Sequence, residues 1–361
     1  MPLAPSLEEL TKMKKDQLQK SIDGEKIMNQ PVPNVQSDLA LGFSKIGIIG
    51  AGGAGKVAAI RAIKSIDPSV IRVQTLDTSG VETVIDNVTS TKIGELNGSG
   101  KLRSENIDII SNFVSDWITK NTFEDVTIIV HSLAGGSGSI ITPLLVDEIA
   151  RQGKIAIIIG IVDTESEIDT TNVFNSLKTY DNITNNRKYY LPTVLFDNKY
   201  GRAVVDQGID ETIVNLVAIL TTPFIGLDTQ DRVKFLNPHV FGDVTHGIKL
   251  ISVTNKISED WNDKIGMIIP QTEYNKIDAV LLISKVEVHH PITTLCSVSF
   301  RGYYEGTGID YLVSIGYNIP QDFVKSLNDR IHSFKSVSEI QKTNFGSEYE
   351  IGKETRKGLV L

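Results

Sequence analysis

Val126-Thr-Ile-Ile-Val-His131-Ser132-Leu133-Ala134-Gly135-Gly136-Ser137-Gly138-Ser139 is the stretch on which the fold reading turns. Its first half is rich in Val and Ile and has no polar face, the pattern of a strand covered on both sides. Its second half is a run of small residues. Glycines let a backbone come close to an anion, and a helix N-terminus beyond them supplies N–H groups and positive dipole. The same arrangement occurs earlier in the chain. A short apolar strand at 45–49 runs into Gly50-Ala51-Gly52-Gly53-Ala54-Gly55-Lys56. Two anion cradles at the edge of one sheet suit a longer phosphate chain than one cradle does.

Working outward, the segment from residue 45 alternates strand and helix. Helical character is expected at 56–65 and a strand at 70–76 that ends on Asp77. A helix is expected at 105–120, with Ile109, Ile110, Phe113, Val114 and Trp117 on one side. A helix at 143–151 and strands at 154–162 and 190–196 follow. This alternation predicts an α/β fold, a Rossmann-like parallel sheet with helices on both faces. Residues 202–220 read as one long helix. Strands at 249–255, 279–288, 295–301 and 311–317, then a helix at 320–334, predict a smaller α+β domain. The expected organisation is an N-terminal helical extension and linker at 1–40, a nucleotide domain at 41–201 and a connecting helix at 202–222. A C-terminal domain at 223–334 and a polar tail at 335–361 complete it. In the extension, Ser6-Leu7-Glu8-Glu9 has capping-box spacing, and Leu7, Leu10, Met13 (or Lys14), Leu18 and Ile22 follow at helical intervals.

Composition narrows the class. The chain has 361 residues, 40% hydrophobic and 22% charged, with a formal net charge of −8. Bulk charge of that sign does not suit direct coating of DNA. The one cysteine, Cys296, in an apolar run, reads as a buried structural thiol. The longest apolar run, Ile155 to Val162, is far short of the roughly 20 residues that a membrane span needs. Glu8, Glu9, Lys12, Lys14 and Lys15 fall where a signal peptide needs its apolar core, so a cytoplasmic protein without membrane contact is expected.

The first glycine loop supports three readings. Gly50-x-Gly52-x-x-Gly55, with Asp77 at ribose-binding distance, fits the dinucleotide fingerprint of an NAD-dependent dehydrogenase. Gly50-x-x-x-x-Gly55-Lys56 nearly fits a P-loop, but Val57 stands where a magnesium-binding hydroxyl is required. The third reading draws on the second loop.

Together the two loops resemble the tubulin and FtsZ superfamily, whose signature is a Gly-Gly-Gly-Thr-Gly-Ser-Gly loop between strand and helix. Here Ala134-Gly135-Gly136-Ser137-Gly138-Ser139-Ile140 keeps the small residues and the central hydroxyl and departs at both ends. The leading extension and the divergent signature are similar to the plasmid and phage branch, the TubZ-type filaments and the phage tubulins. The resemblance covers residues 45–334.

That resemblance implies GTP or GDP with Mg2+ as ligands. It assigns Ala134, Gly135, Gly136, Ser137, Gly138 and Ser139 to the phosphates, together with Gly52, Gly53, Ala54 and Lys56. Asp77 would lie near the phosphates and hold the metal. Gly98, Ser99 and Gly100 match the loop that senses the terminal phosphate, where Lys101 and Arg103 add positive charge. Glu165 or Asp169 would hold the ribose, Asn198 and Asp206 would read guanine, and Arg202, or its rival Tyr200, would stack on the base.

After the long helix, Gly226-Leu227-Asp228-Thr229-Gln230-Asp231 resembles the family's synergy loop, with Gly226 in place of its Asn. Asp228 and Asp231 also make a sound N-cap and first-turn acid. The resemblance makes them the catalytic pair, acting on the GTP of the next subunit. His131, ending a buried strand, reads as structural. The partners implied are further copies of the chain in a head-to-tail filament and a DNA-binding adaptor at the C-terminal tail, where Lys353, Arg356 and Lys357 mix with Glu348, Glu350 and Glu354. The filament would segregate or position plasmid or phage DNA. The N-terminal helix either docks on its own domain or assists a filament contact. The alternatives to this GTPase are the dehydrogenase and a GTP-binding regulator that never polymerises.

Overall fold

The computed structural model describes residues 39–79, 85–255, 277–285 and 298–351, with side chains in 41–337 of that set. The chain divides into Met1–Leu39 and Ala40–Leu361, and the elements named here lie in the second. Cys296 and the helix expected near residues 6–22 lie outside the described residues.

Strand β1 (Ile46–Ala51) leads into α1 (Gly52–Ala62), then β2 (Ile71–Asp77) and β3 (Val88–Lys92). Helix α2 (Arg103–Lys120), β4 (Val126–Ser132), α3 (Gly138–Arg151), β5 (Ile155–Val162), α4 (Glu167–Arg187) and β6 (Tyr190–Asp197) follow. The long α5 (Arg202–Thr221) leads to β7 (Phe224–Ile225) and α6 (Thr229–Leu236). Then come β8 (Gly247–Thr254), β9 (Ala279–Lys285), β10 (Phe300–Tyr304), β11 (Tyr311–Tyr317) and α7 (Gln321–Ile351).

All these strands belong to one sheet in the order β7-β10-β9-β11-β8-β6-β5-β4-β1-β2-β3. From β3 to β8 every pair is parallel. Beyond β8 the sheet turns mixed: β11 runs antiparallel to β8 and β9, and β10 parallel to β9. The strands of the second half thus extend the first sheet through the parallel pairing of Tyr190–Thr193 with Gly247–Leu250.

Burial on both sheet faces explains the uninterrupted apolar strands. One face packs on Ala58, Ala59 and Ala62 of α1 and on Val205, Ile209, Ile213 and Leu216 of α5. The other packs on Ile110, Val114 and Trp117 of α2 and on Ile141, Leu145 and Ile149 of α3. Ile109, expected inward, is exposed, because the buried stripe of α2 runs through 110, 114 and 117.

Helix α1 begins at Gly52 rather than at 56, β10 is Phe300–Tyr304 rather than 295–301, and three further expectations shift. Helix α3 starts at Gly138, five residues before Pro143, so the second glycine loop runs directly into the first helical turn. Helix α4 occupies a stretch for which no element was expected and carries Asp169 in its first turn. Its Asn- and Thr-rich sequence has little apolar contrast: Val173, Leu177 and Tyr180 are buried, but so are the polar Asp169, Asn172 and Ser176. Helix α7 runs to Ile351 rather than ending near 334, since no proline or glycine interrupts the sequence before Gly346. Among the described residues no helix is long and apolar enough to cross a membrane.

Candidate functional site

Strand β1 sits mid-sheet, with the chain moving to β2 on one side and β4 on the other. At such a switch point the loops leaving adjacent carboxyl ends part and leave a crevice. A cleft of about 210 Å³ opens there. Ala51, Gly52, Gly53 and Ala54 line it from β1 and α1; Asp77, Thr78 and Ser79 from the end of β2; Ser132, Gly135, Gly136, Ser137 and Gly138 from β4 and α3; and Gly98, Ser99 and Lys101 from the loop before α2.

The two glycine loops touch. Gly52 has φ +70, and a Cβ there would stand 2.8 Å from the Gly138 nitrogen. A Cβ on Gly138 would meet the Ala51 carbonyl at 2.8 Å, and one on Gly136 would strike Ser99 and Lys101. Gly52 and Gly138 are each required by the backbone of the other glycine loop, and this close approach brings two helix starts to one space. Thr78 Oγ1 and Ser137 Oγ lie 2.6 Å apart and tie the end of β2 to the second loop. Asp77 accepts from the Thr78 N–H at 2.8 Å and from the Ser79 hydroxyl. It is the one carboxylate among the described residues lining the cleft.

Helix α4 grips the loops from behind. Asp169, in its first turn beside the N-cap Ser166, accepts from Lys101 Nζ at 2.6 Å. Asn172 Nδ2 donates to both Lys101 O and Ala134 O at 3.0 Å, and Ser176 donates to Leu133 O at 3.1 Å. The hydrogen bond to Asp169 raises the Lys101 pKa above its ordinary value. His131 lies wholly buried beneath the second loop, its Nε2 2.7 Å from Tyr180 Oη and its Nδ1 3.1 Å from Ser132 O. Those partners assign the proton to Nδ1. Burial pushes its pKa down to about 3, so it is a neutral structural group.

No protein-family model matches the chain. Over 149 residues it is 29% identical to a phage tubulin-like protein of Pseudomonas phage phiKZ, a match covering 41% of this chain and 46% of that relative. The matched segment therefore spans under half of the relative's length. The protofilament of TubZ from bacteriophage PhiKZ superposes with TM-score 0.65 at 19% identity, covering 87% of this chain and 94% of that one. The GDP-bound phage tubulin PhuZ superposes with TM-score 0.65 at 17% identity, covering 88% and 95%. The chain has a tubulin-like fold.

Within that tubulin-like fold, the cleft brings together Gly52, Gly53, Ala54, Asp77, Gly98, Ser99, Gly135, Gly136, Ser137 and Gly138, as expected from the sequence. Ala51, Thr78, Ser79 and Ser132 line it without having been anticipated. The hydroxyl run directly after Asp77 was the available signal. Ala134 is buried behind the loop, and Ser139 turns inward to bond Gly136 O at 3.2 Å. Gly100, Lys56, Glu165, Asn198, Arg202 and Asp206 are not in the cleft lining.

Asn198 and Arg202 follow β6, farther along the same carboxyl edge. Asn198 Nδ2 lies 3.4 Å from Asp163, and Asp206 pairs with Arg61 at 3.1 Å and with Arg202 at 3.7 Å.

Asp228 and Asp231 form a capping box at the start of α6. Asp228 Oδ1 accepts from the Asp231 N–H at 2.8 Å, and Asp231 Oδ2 from the Asp228 N–H at 3.4 Å. Beneath them Arg232 is wholly buried, donating to the carbonyls of Ile219, Leu227, Thr222 and Leu41 at 2.7–3.1 Å. Burial lowers its pKa to about 10.

Proposed function

We propose that the chain is a GTP-dependent, filament-forming GTPase whose hydrolytic site is shared between successive copies. One observation carries this reading: the cleft lies at the carboxyl edge of the sheet, the edge from which α5 departs, whereas the acidic pair follows the far end of α5, beside Leu41 ahead of β1. The helix leaves the carboxyl edge of the sheet at Arg202 and ends at Thr221, just before the acids. Twenty residues of helix span about 30 Å, too far for Asp228 or Asp231 to reach the cleft of their own chain. A second copy stacked head to tail would bring them to it. Such a contact is heterologous and does not close on itself, so it propagates.

In this reading the N–H groups of the two glycine loops hold the phosphates. Asp77 would hold Mg2+, an ion that dehydrates reluctantly and takes only one or two carboxylates, and the ion would offset phosphate charge there. The residues fit that group: the cleft offers one carboxylate, and among the described residues no cluster of three or more His, Cys, Asp or Glu converges. The neighbour's Asp228 and Asp231 orient and polarise the attacking water. Asn198 and Asp206 would read the base beyond the cleft, with Arg202 stacking, once Asp206 gives up part of its pairing with Arg61.

The cargo we propose is plasmid or phage DNA, held through an adaptor at the C-terminal tail; the net charge of −8 supports an indirect link. The capping box favours a second reading, in which the two acids only cap α6 and the protein binds GTP without assembling.

Light scattering and electron microscopy with GTP, GDP and a non-cleavable GTP analogue separate the two. The shared-site reading expects polymer with GTP, longer-lived polymer with the analogue, and hydrolysis per molecule that rises with protein concentration. Hydrolysis independent of concentration would sink it.

A further inference from the structure

Among the described residues lining the cleft, Lys101 is the one cation. Every other donor there is a backbone N–H or a hydroxyl, and these bind one phosphate group much as they bind another. Lys101 is the one full positive charge that the chain's own described residues supply there, and a full charge responds to the total charge of a ligand more strongly than a dipole does. Lys101 is also built in with care. It holds a left-handed backbone, φ 62, that non-glycine residues adopt only under constraint. The constraint is visible: Asn172 holds its carbonyl and the Ala134 carbonyl with the same amide nitrogen. The Lys101 side chain is about half exposed, while its partner carboxylate on Asp169 is buried and also accepts from Ser166 Oγ at 2.6 Å.

We propose that Lys101 is the residue through which this cleft discriminates ligands by phosphate charge, and that Asp169 is its counter-ion and positioning residue rather than a ribose ligand. This rests on the nucleotide-binding reading above. Asp169 sits in a helix turn with both carboxylate oxygens engaged, one by Lys101 and one by Ser166. An incoming polyphosphate competes with that carboxylate for the ammonium group, and the competition strengthens with each added phosphate. A lysine that trades a buried carboxylate for a phosphate also changes what holds the start of α4. Charge in the cleft is thereby linked to the helix that spaces the two loops.

The test is calorimetric titration of the full chain, kept below its assembly concentration, with guanosine, its mono- and diphosphates and a non-cleavable triphosphate. Wild type is expected to bind more tightly with each phosphate. Lys101→Gln flattens that series, losing roughly tenfold or more on the triphosphate analogue while leaving guanosine within about twofold. Lys101→Arg restores most of the slope. Asp169→Asn steepens it and leaves guanosine unchanged.

An equal loss on guanosine and on the triphosphate in Lys101→Gln would make Lys101 merely structural. Weakened guanosine binding in Asp169→Asn would return Asp169 to the ribose. Should wild type refuse guanine ligands but bind the adenosine series, that series decides the role of Lys101 while the GTP reading falls. Binding of neither base would overturn both.

Discussion

Replacing Asp228 by alanine and by asparagine, side by side, separates its two possible duties. The carboxylate accepts one good hydrogen bond, from the Asp231 N–H at 2.8 Å, and the reciprocal bond is at the limit of length, 3.4 Å. Alanine removes the first and should cost about 1 kcal/mol of stability, the usual worth of an N-cap. In a chain this large that is a fall of about 2 °C in the unfolding midpoint. Asparagine caps as well as aspartate does, so Asp228→Asn should lose at most a few tenths of a kcal/mol from the helix dipole at an exposed site. If Asp228 also acts on a neighbour's nucleotide, both variants should lose hydrolysis alike, by roughly 100-fold or more. The assay pairs thermal unfolding of dilute GDP-bound protein with phosphate release and pelleting at assembling concentrations. The shared-site mechanism expects Asp228→Asn to melt like wild type, pellet at least as well, and turn over hardly at all. If Asp228→Asn instead hydrolysed GTP at near wild-type rate, the carboxylate would be a cap and nothing more, and the reasoning would fail.

Gly55→Ala should prevent tight nucleotide binding and lower stability by about 1–3 kcal/mol, because its Cβ would lie 2.0 Å from the rigid Val130 carbonyl and α1 would have to lift from β4; titration and urea unfolding measure both. Arg232→Met should cost about 2–4 kcal/mol, since the buried carbonyls of Ile219 and Leu227 lose their donor, and urea midpoints check this. His131 gives a pH signature of known sign. Its folded pKa, about 3, lies below its unfolded value, so its contribution is complete above pH 6.5 and is lost as pH falls toward 3, by up to about 1.4 kcal/mol per unit. Urea titrations at pH 7 and 5 should show that loss, and His131→Gln should reduce it. The same neutrality means that His131 contributes no inflection to the hydrolysis profile between pH 5 and 8.

The parallel half of the sheet was readable because its strands lack a polar face and its glycines stand at close approaches: Gly52, Gly136 and Gly138 have no room for a Cβ. Local pattern sufficed there. It did not suffice for α4, whose polar Asp169, Asn172 and Ser176 face inward to hold loops distant in sequence, so the helix has almost no amphipathic contrast. Nor did it decide between capping and the proposed catalytic role for Asp228 and Asp231, because both ask for the same residues at the same spacing. Thr78 and Ser79 escaped notice since hydroxyls after a strand are common, and their place in the cleft depends on which strand lies beside β2.

Two arginines grip α5 near its ends. Arg61 of α1 holds Asp206 and Asp210 in its first half, at 3.1 and 2.5 Å, and Arg232 of α6 holds the Ile219 and Thr222 carbonyls where it stops. A stiff rod pinned at both ends transmits an axial push instead of absorbing it. Arg61 belongs to the helix that begins at the first glycine loop, so α5 connects that helix to the turn that carries the paired carboxylates.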